Sequence, residues 1–174
     1  VSNERIARRH LHSIALASYA RKVVAAGHEW PTIVGHFFRT STPDGHSVAD
    51  GFRDWLESHP GELQAALLRV FPELDDELEI SSWGWVDALY DDSPESDRGW
   101  MHRATKEILE DFKYLEELIA EKQAEIQNLP IEDKKRQAIR KRQQQLERQF
   151  NTIHDKKLLD HLATRVVLPK YGFP

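Results

Sequence analysis

The sequence predicts an all-α chain: a small helical globular part followed by a long antiparallel helical hairpin of coiled-coil type. Three observations carry this. Apolar residues recur at helical steps in one segment after another, and cap and stop residues bracket those segments. From Ile108 to Leu129 the apolar steps alternate between four and three, the signature of a heptad seam.

Ser2 or Asn3 can cap a first helix running to about Ala26, with Gly27 as its stop signal. Arg5, Arg8, Arg9 and His12 share one face of it, while beyond Ile14 the residues are apolar nearly all round. Its first two turns are therefore expected to be wet and the rest buried. Residues 28–46 hold turn formers, Trp30-Pro31 and Thr42-Pro43-Asp44-Gly45, around the apolar run Ile33 to Phe38, which periodicity assigns to neither helix nor strand. Ser47 can cap a helix carrying Val48, Phe52, Trp55 and Leu56, which His59-Pro60 ends. Leu63, Ala66, Leu67 and Val70 then fall at core spacing over Gly61 to Val70. Pro72-Glu73 opens an acidic turn, and Ser81 or Ser82 can cap a short helix with Trp83, Val86, Ala88 and Leu89. The globular part thus spans residues 1–90. Residues 91–99, beginning Asp91-Asp92-Ser93-Pro94-Glu95, read as an acidic linker too polar to bury a core.

Residues 100–162 form the predicted hairpin. Ile108, Phe112, Leu115, Ile119, Lys122, Ile126 and Leu129 make the seam of its first helix, with Lys122 as the one polar slot. A helix from Met101 to Asn128 is roughly 42 Å long. Pro130 starts the second helix, where Glu132 and Asp133 suit the positive end, and Ile139, Leu146, Phe150 and Ile153 supply a narrow apolar stripe. Residues 163–174 read as a C-terminal segment leading to a further domain downstream, and the start on Val1 reads as that of a fragment.

Composition narrows the function classes. The hydrophobic share is 40% and the charged share 30%, which fits neither a disordered chain nor an unusually core-rich one. With no cysteine, a disulfide framework, a thiol nucleophile and a thiolate zinc site are excluded within these residues, and a reducing, cytoplasmic setting is expected. No apolar run reaches membrane-span length, so no membrane partner is expected. The net charge of −5 conceals an acidic block and a basic helix. Residues 55–99 hold twelve acids and only Arg69 and Arg98, whereas residues 132–157 carry nine cations and four acids.

That basic helix has two readings. Lys134, Lys135, Arg136, Arg140, Lys141, Arg142, Arg148, Lys156 and Lys157 can track a phosphate backbone, which makes DNA a candidate partner. Alternatively, a turn at 129–130 sets Lys135 opposite Glu125 and Arg142 opposite Glu116 and Glu117, so that the charges fix the register of the hairpin. Lys141 and Arg148 point away from the seam on either reading.

Other constellations carry less. His10-Leu11-His12, and His154 with Asp160-His161, match no catalytic zinc spacing. Trp30, Trp55, Trp83, Trp85 and Trp100 sit among acids and read as packing residues rather than base-stacking platforms. Asp54 with Glu57, and Asp91 with Asp92, are pairs that 29 acids produce by chance. There is no Gly-rich phosphate loop, Gly-x-Ser-x-Gly, His-Glu-x-x-His or DEAD/DEAH box, and only Asp44-Gly45 or Ser47 offers an anion a helix start. No catalytic residue, metal site or cofactor is expected in this chain.

The closing stretch Arg165-Val166-Val167-Leu168-Pro169-Lys170-Tyr171-Gly172-Phe173-Pro174 resembles a segment of large superfamily 2 DEAD/DEAH-box helicases with a C-terminal four-cysteine zinc domain. That group includes MrfA-type repair helicases and the helicases of DISARM-like phage-defence systems. Ile6-Ala7-Arg8-Arg9-His10-Leu11-His12-Ser13-Ile14-Ala15-Leu16 is similar to the helix after their second RecA-like lobe, and Gly45-His46-Ser47-Val48-Ala49-Asp50 has the same character. The likeness covers about a third of the chain, and the hairpin departs from it, as a lineage-specific insertion would. It implies a helical region between motor lobes and zinc domain, with the ATP-binding motifs upstream and the zinc cysteines downstream. Arg8, Arg9 and His12 match the helix beside the motor, and Lys170-Tyr171-Gly172-Phe173 the segment beside the zinc domain.

The expectation is a non-catalytic accessory module of an ATP-dependent DNA helicase or translocase, whose partners are the remainder of that helicase and DNA or another protein. Arg5, Arg8, Arg9, His12, Lys134, Arg140, Lys141 and Arg148 are its candidate nucleic-acid contacts. The alternative is an interaction scaffold built on an antiparallel coiled coil with no nucleic-acid role, in which an open heptad seam serves a homodimer equally well.

Overall fold

The computed structural model describes residues 2–40 and 43–170. Thr42 of the expected turn, Tyr171, Gly172, Phe173 and Pro174 of the closing motif, and the side chain of Ser2 lie outside the described residues. Helices α1 (Ser2–Ala25), α2 (Val34–Phe38), α3 (Val48–Glu57), α4 (Gly61–Val70), α5 (Asp75–Leu78), α6 (Gly84–Leu89), α7 (Trp100–Gln127), α8 (Lys135–His154) and α9 (Leu158–Thr164) follow in chain order. No strand occurs among the described residues, so the fold is all-α; the extended pairing is a single bridge between Ile33 and Lys157.

Local chemistry explains most boundaries. Ser47 Oγ accepts the Asp50 N–H at 3.0 Å while Asp50 Oδ2 accepts the Ser47 N–H at 3.1 Å, a reciprocal cap that starts α3. Asn3 lies inside the first turn of α1 rather than capping it. At α6 the cap position is Trp83 in a left-handed conformation, and Ser82 Oγ takes the Gly84 N–H. The undecided run Ile33 to Phe38 resolves into one extended residue and a five-residue helix. The bridge supplies Val34 N–H to Lys156 O at 2.8 Å and Leu158 N–H to Thr32 O at 2.9 Å. Helix α2 then buries Val34, Phe37 and Phe38 together, which is why its sequence shows no polar face to read.

One apolar core runs through segments far apart in sequence. Leu11, Ala15 and Leu16 of α1, Phe37 and Phe38, Phe52, Leu56, Leu67 and Trp85 share it with Met101, Ala104, Ile108 and Phe112 of α7. Leu158 and Leu162 of α9, with Val167 and Leu168, complete it. The stretch 91–99 therefore joins two parts of one core instead of spacing two bodies apart. It is an ordered turn: Asp91 Oδ1 accepts the Ser93 N–H, Asp91 Oδ2 accepts the Ser96 hydroxyl, and the Gly99 N–H reaches Ala88 O. Those hydrogen bonds, from Ser93 first and then Ser96, hold the Asp91 carboxyl down at about 2. Gly99 has φ +76°, and a Cβ there would overlap Asp91 O, so only glycine closes this turn.

Two burial expectations reverse. In α1 the first turn, Asn3 to Ile6, is exposed as expected, but most residues from Ala7 to Leu16 are buried, by α5 and the segment at 166–168 among others, whereas the last turns are exposed, with Val24 58% accessible. Val70, at core spacing in α4, is 54% exposed, and Phe71 and Leu74 pack against the core in its place.

Helices α7 and α8 lie antiparallel. Phe112 meets Phe150 and His154 at the base, and the Gln143 amide donates to Gln123 Oε1 at 2.9 Å further out. Every seam residue from Ile108 to Leu129 is buried or half-buried, Lys122 included. The second helix starts at Lys135 rather than Pro130. Residues 128–134 form the turn, closed by Asp133 Oδ1 accepting the Lys135 N–H at 2.8 Å. Helix α2 packs on the base of this pair, where Gly35 lies against the His154 ring so closely that a Cβ would overlap it.

Gly35→Ala is expected to destabilise the fold by about 1–3 kcal/mol through this overlap. Urea denaturation measures it, and His154→Ala in the same chain should return part of the loss. A Gly35→Ala chain as stable as the wild type would show that α2 does not press on α8.

Candidate nucleic-acid interface

Helix α8 carries six cations against one acid, Glu147. Its apolar stripe, Ile139, Leu146, Phe150 and Ile153, faces inward with Leu146 fully buried. Lys134, Lys141 and Arg148 recur every seven residues, so they form one exposed column about 10 Å apart on the opposite side. Arg140 lies beside the column, and Gln137, Gln144 and Asn151 interleave as neutral hydrogen-bond donors.

The expected pairing of this basic face with α7 does not form. Because α8 starts five residues after Pro130, Lys135 falls at the tip rather than opposite Glu125. Glu125 is instead bonded by Lys122 of its own helix, Glu116 by Arg39 at 2.9 Å, and Glu107 by Arg165 at 2.5 Å. Among the described residues no ion pair links α7 to α8. Lys134, Lys135, Arg140, Lys141 and Arg148 are exposed and have no carboxylate partner among those residues.

The four candidates on α1 lie elsewhere, in a cleft of about 870 Å³ that no α8 residue lines. Arg5 is exposed and Arg9 half-buried, but Arg8 retains only 9% exposure and His12 only 3%. The expectation of a wet basic face is therefore corrected for these two. Arg8 is held by Glu4 Oε1 at 3.1 Å and by Glu77 O at 3.2 Å, with its guanidinium 5.7 Å from the Trp100 ring centre. Those partners offset the cost of burying its charge. His12 Nδ1 lies 2.8 Å from Val167 O, and its ring sits between those of Trp85 and Trp100. No protein-family model, curated protein or solved structure matches the chain.

Sequence reasoning missed the far wall of this cleft, which Glu79, Asp97, Arg98, Trp100, Arg103 and Val166 supply. One signal was present: Arg98 is one of two cations in an acidic block, and it answers Glu79 at 2.5 Å. Nothing local marks Val166, which enters only through the fold. The tryptophans behave as packing residues: Trp85 is fully buried, Trp83 stacks on His59, and Trp30 and Trp55 flank Tyr19. Among the described residues no three histidines or carboxylates converge as metal ligands, and no helix is long and apolar enough to cross a membrane.

Burial drives the His12 pKa down to about 4, helped by the Arg8 and Arg9 charges and opposed by the Val167 hydrogen bond. His161, under α2, is lowered to about 4 mainly by burial and then by Lys156 and Arg165. Between pH 6.5 and 4 the unfolded chain therefore binds protons that the folded chain refuses. Stability present above pH 6.5 is lost as the pH falls toward 4, by about 3 kcal/mol for His12 alone. Thermal midpoints taken from pH 7 to 4.5 should fall steadily, and His161→Leu should flatten the slope. A flat profile in the wild type would show that both rings protonate in the folded chain.

Proposed function

We propose that this chain is a non-catalytic helical module that holds nucleic acid by its phosphate backbone, along the outer column of α8, within an ATP-dependent DNA helicase or translocase. The observation that carries the reading is that Lys134, Lys141 and Arg148, on the side away from α7, and Arg140 beside them have no carboxylate partner among the described residues. Unpaired cations spaced along a rigid rod release counterions from a phosphate backbone without reading sequence. The helicase context rests on the likeness of residues 6–16 and 165–174 to that family, with the missing nucleotide-binding motifs expected in the partner lobes.

Four phosphate contacts imply an affinity that falls about a hundredfold between 50 and 200 mM salt. Titration against duplex and single-stranded DNA at both concentrations should show it, and Lys141→Glu with Arg148→Glu should remove about half of the logarithmic salt slope. Both positions are exposed, so the fold should change by less than about 0.5 kcal/mol. Undiminished binding in the double variant, or none at low salt, would leave the second reading, a protein-docking rod. That reading is favoured by Ile131, 88% exposed at the hairpin tip, and by exposed Tyr114 on α7.

A further inference from the structure

The α1 cleft contains two buried polar atoms with no hydrogen-bond partner, Arg8 Nη1 and His12 Nε2. Both side chains line the cavity, and they stand one turn apart on one face of α1. Buried groups of this kind are seldom left unmatched in a native protein, and a bound ligand is one way to match them. Their roles are fixed. Val167 O can only accept, so His12 Nδ1 carries the hydrogen, and in the neutral ring Nε2 is left as a bare lone pair. Arg8 Nη1 can only donate.

A ligand that satisfies both must present an acceptor beside a donor. A fully ionised oxyanion has no hydrogen for Nε2, and a cation meets the Arg8 guanidinium. A carbonyl beside an N–H, as on the edge of a nucleobase, offers the acceptor and the donor that the two atoms lack. The surroundings fit such a ligand. Trp100 with the Arg8 guanidinium across it makes a flat wall. Arg5 and Arg9 at the rim have no carboxylate partner among the described residues and can meet a phosphate attached to the same base. The cavity volume of about 870 Å³ is ample for a mononucleotide. Two non-glycine residues of its lining, Glu79 at φ 57° and Val166 at φ 56°, are held in left-handed conformations. For a β-branched valine that is a strained geometry of the kind that collects at ligand sites.

The geometry points to a nucleotide site in this cleft, with the base edge on Arg8 Nη1 and His12 Nε2 and the phosphate toward Arg5 and Arg9. It is independent of the α8 column. The nucleotide comes either free or as an unpaired base of a strand. Both atoms are closed to solvent in this structure, so the site requires the side chains that cover them to move.

The test uses the whole chain with the monophosphates of uridine, cytidine, adenosine and guanosine, ribose 5-phosphate as the base-free control, and single-stranded DNA with and without bases. At least one monophosphate should bind tenfold or more tightly than ribose 5-phosphate and should move the ¹⁵N resonance of His12 Nε2. His12→Asn keeps an N–H for Val167 O but removes the Nε2 acceptor. Arg8→Lys keeps the charge beside Glu4 but removes Nη1. Each should weaken the monophosphate at least tenfold while the thermal midpoint stays within a few degrees. Lys141→Glu with Arg148→Glu should leave monophosphate affinity unchanged, which separates this site from backbone binding on α8. A preference for base-bearing over abasic strand assigns the site to an unpaired base; equal binding of the two strands assigns it to a free nucleotide. Equal affinity for ribose 5-phosphate and every monophosphate, a stationary Nε2 resonance, or undiminished binding in both variants would overturn the site and leave the two atoms to ordered water.

Discussion

The close approach of α2 to His154 governs how the hairpin is mounted. Gly35 admits the imidazole where any Cβ would exclude it, and the Arg39 guanidinium two residues after Phe37 lies between Phe112 and Phe150, 5.3 and 4.9 Å from their ring centres. One short buried helix thereby grips both long helices at the same level. With α8 fixed at this end, and with its other end starting only after the turn at 128–134, its register against α7 has little freedom left. Register then decides the electrostatics. Arg39 takes Glu116 and Lys122 takes Glu125, the acids that a shorter turn would have offered to α8. The basic face is left unpaired as a consequence of packing some distance away from it.

The helices were largely legible in the sequence because their signals are local. The Ser47 cap, the Gly27 stop and the heptad seam each involve residues within one or two turns of each other, and each stands where the pattern put it. What was illegible depended on partners far along the chain. The run Ile33 to Phe38 is a helix only because Lys156 and Leu158 pair with its flank and four other helices bury it. Pro130 is a sound first-turn residue, but Asp133 caps the Lys135 N–H instead, and this shift of five residues moved every cross-helix charge pair. The candidate site was half legible. Composition and spacing predict the exposure of the α8 column, whereas the exposure expected for Arg8 and His12 fails, since a polar face on α1 is exposed only if nothing lands on it.

The stretch at 91–99 shows why composition misleads about mechanical role. Its residues cannot contribute apolar area, yet its side-chain oxygens satisfy its own backbone, and the Gly99 N–H reaches back to Ala88 O at 2.7 Å. The turn is stiff because its polar groups face one another. It delivers Met101 and Ala104 into the core that α6 already lines, so the first turns of α7 belong to the globular part and only the portion beyond about Leu115 stands out as a rod.

The two basic regions differ in the cations they use. The α8 column mixes lysine and arginine in open solvent, where each charge is screened and acts as a point attraction to phosphate at any register. The α1 cleft has five arginines, Arg5, Arg8, Arg9, Arg98 and Arg103, and no lysine, balanced by five acids. A neutral wall of that kind has little long-range pull. What arginine adds there, at Arg8 and Arg98, is direction: planar donors held by Glu4, Glu77 O and the Trp100 ring, and by Glu79, respectively. In the proposed roles such a wall would select by hydrogen-bond pattern and the column by charge. Under the two proposals the chain has a salt-sensitive surface for a backbone and a desolvated recess for one kind of edge, and neither substitutes for the other.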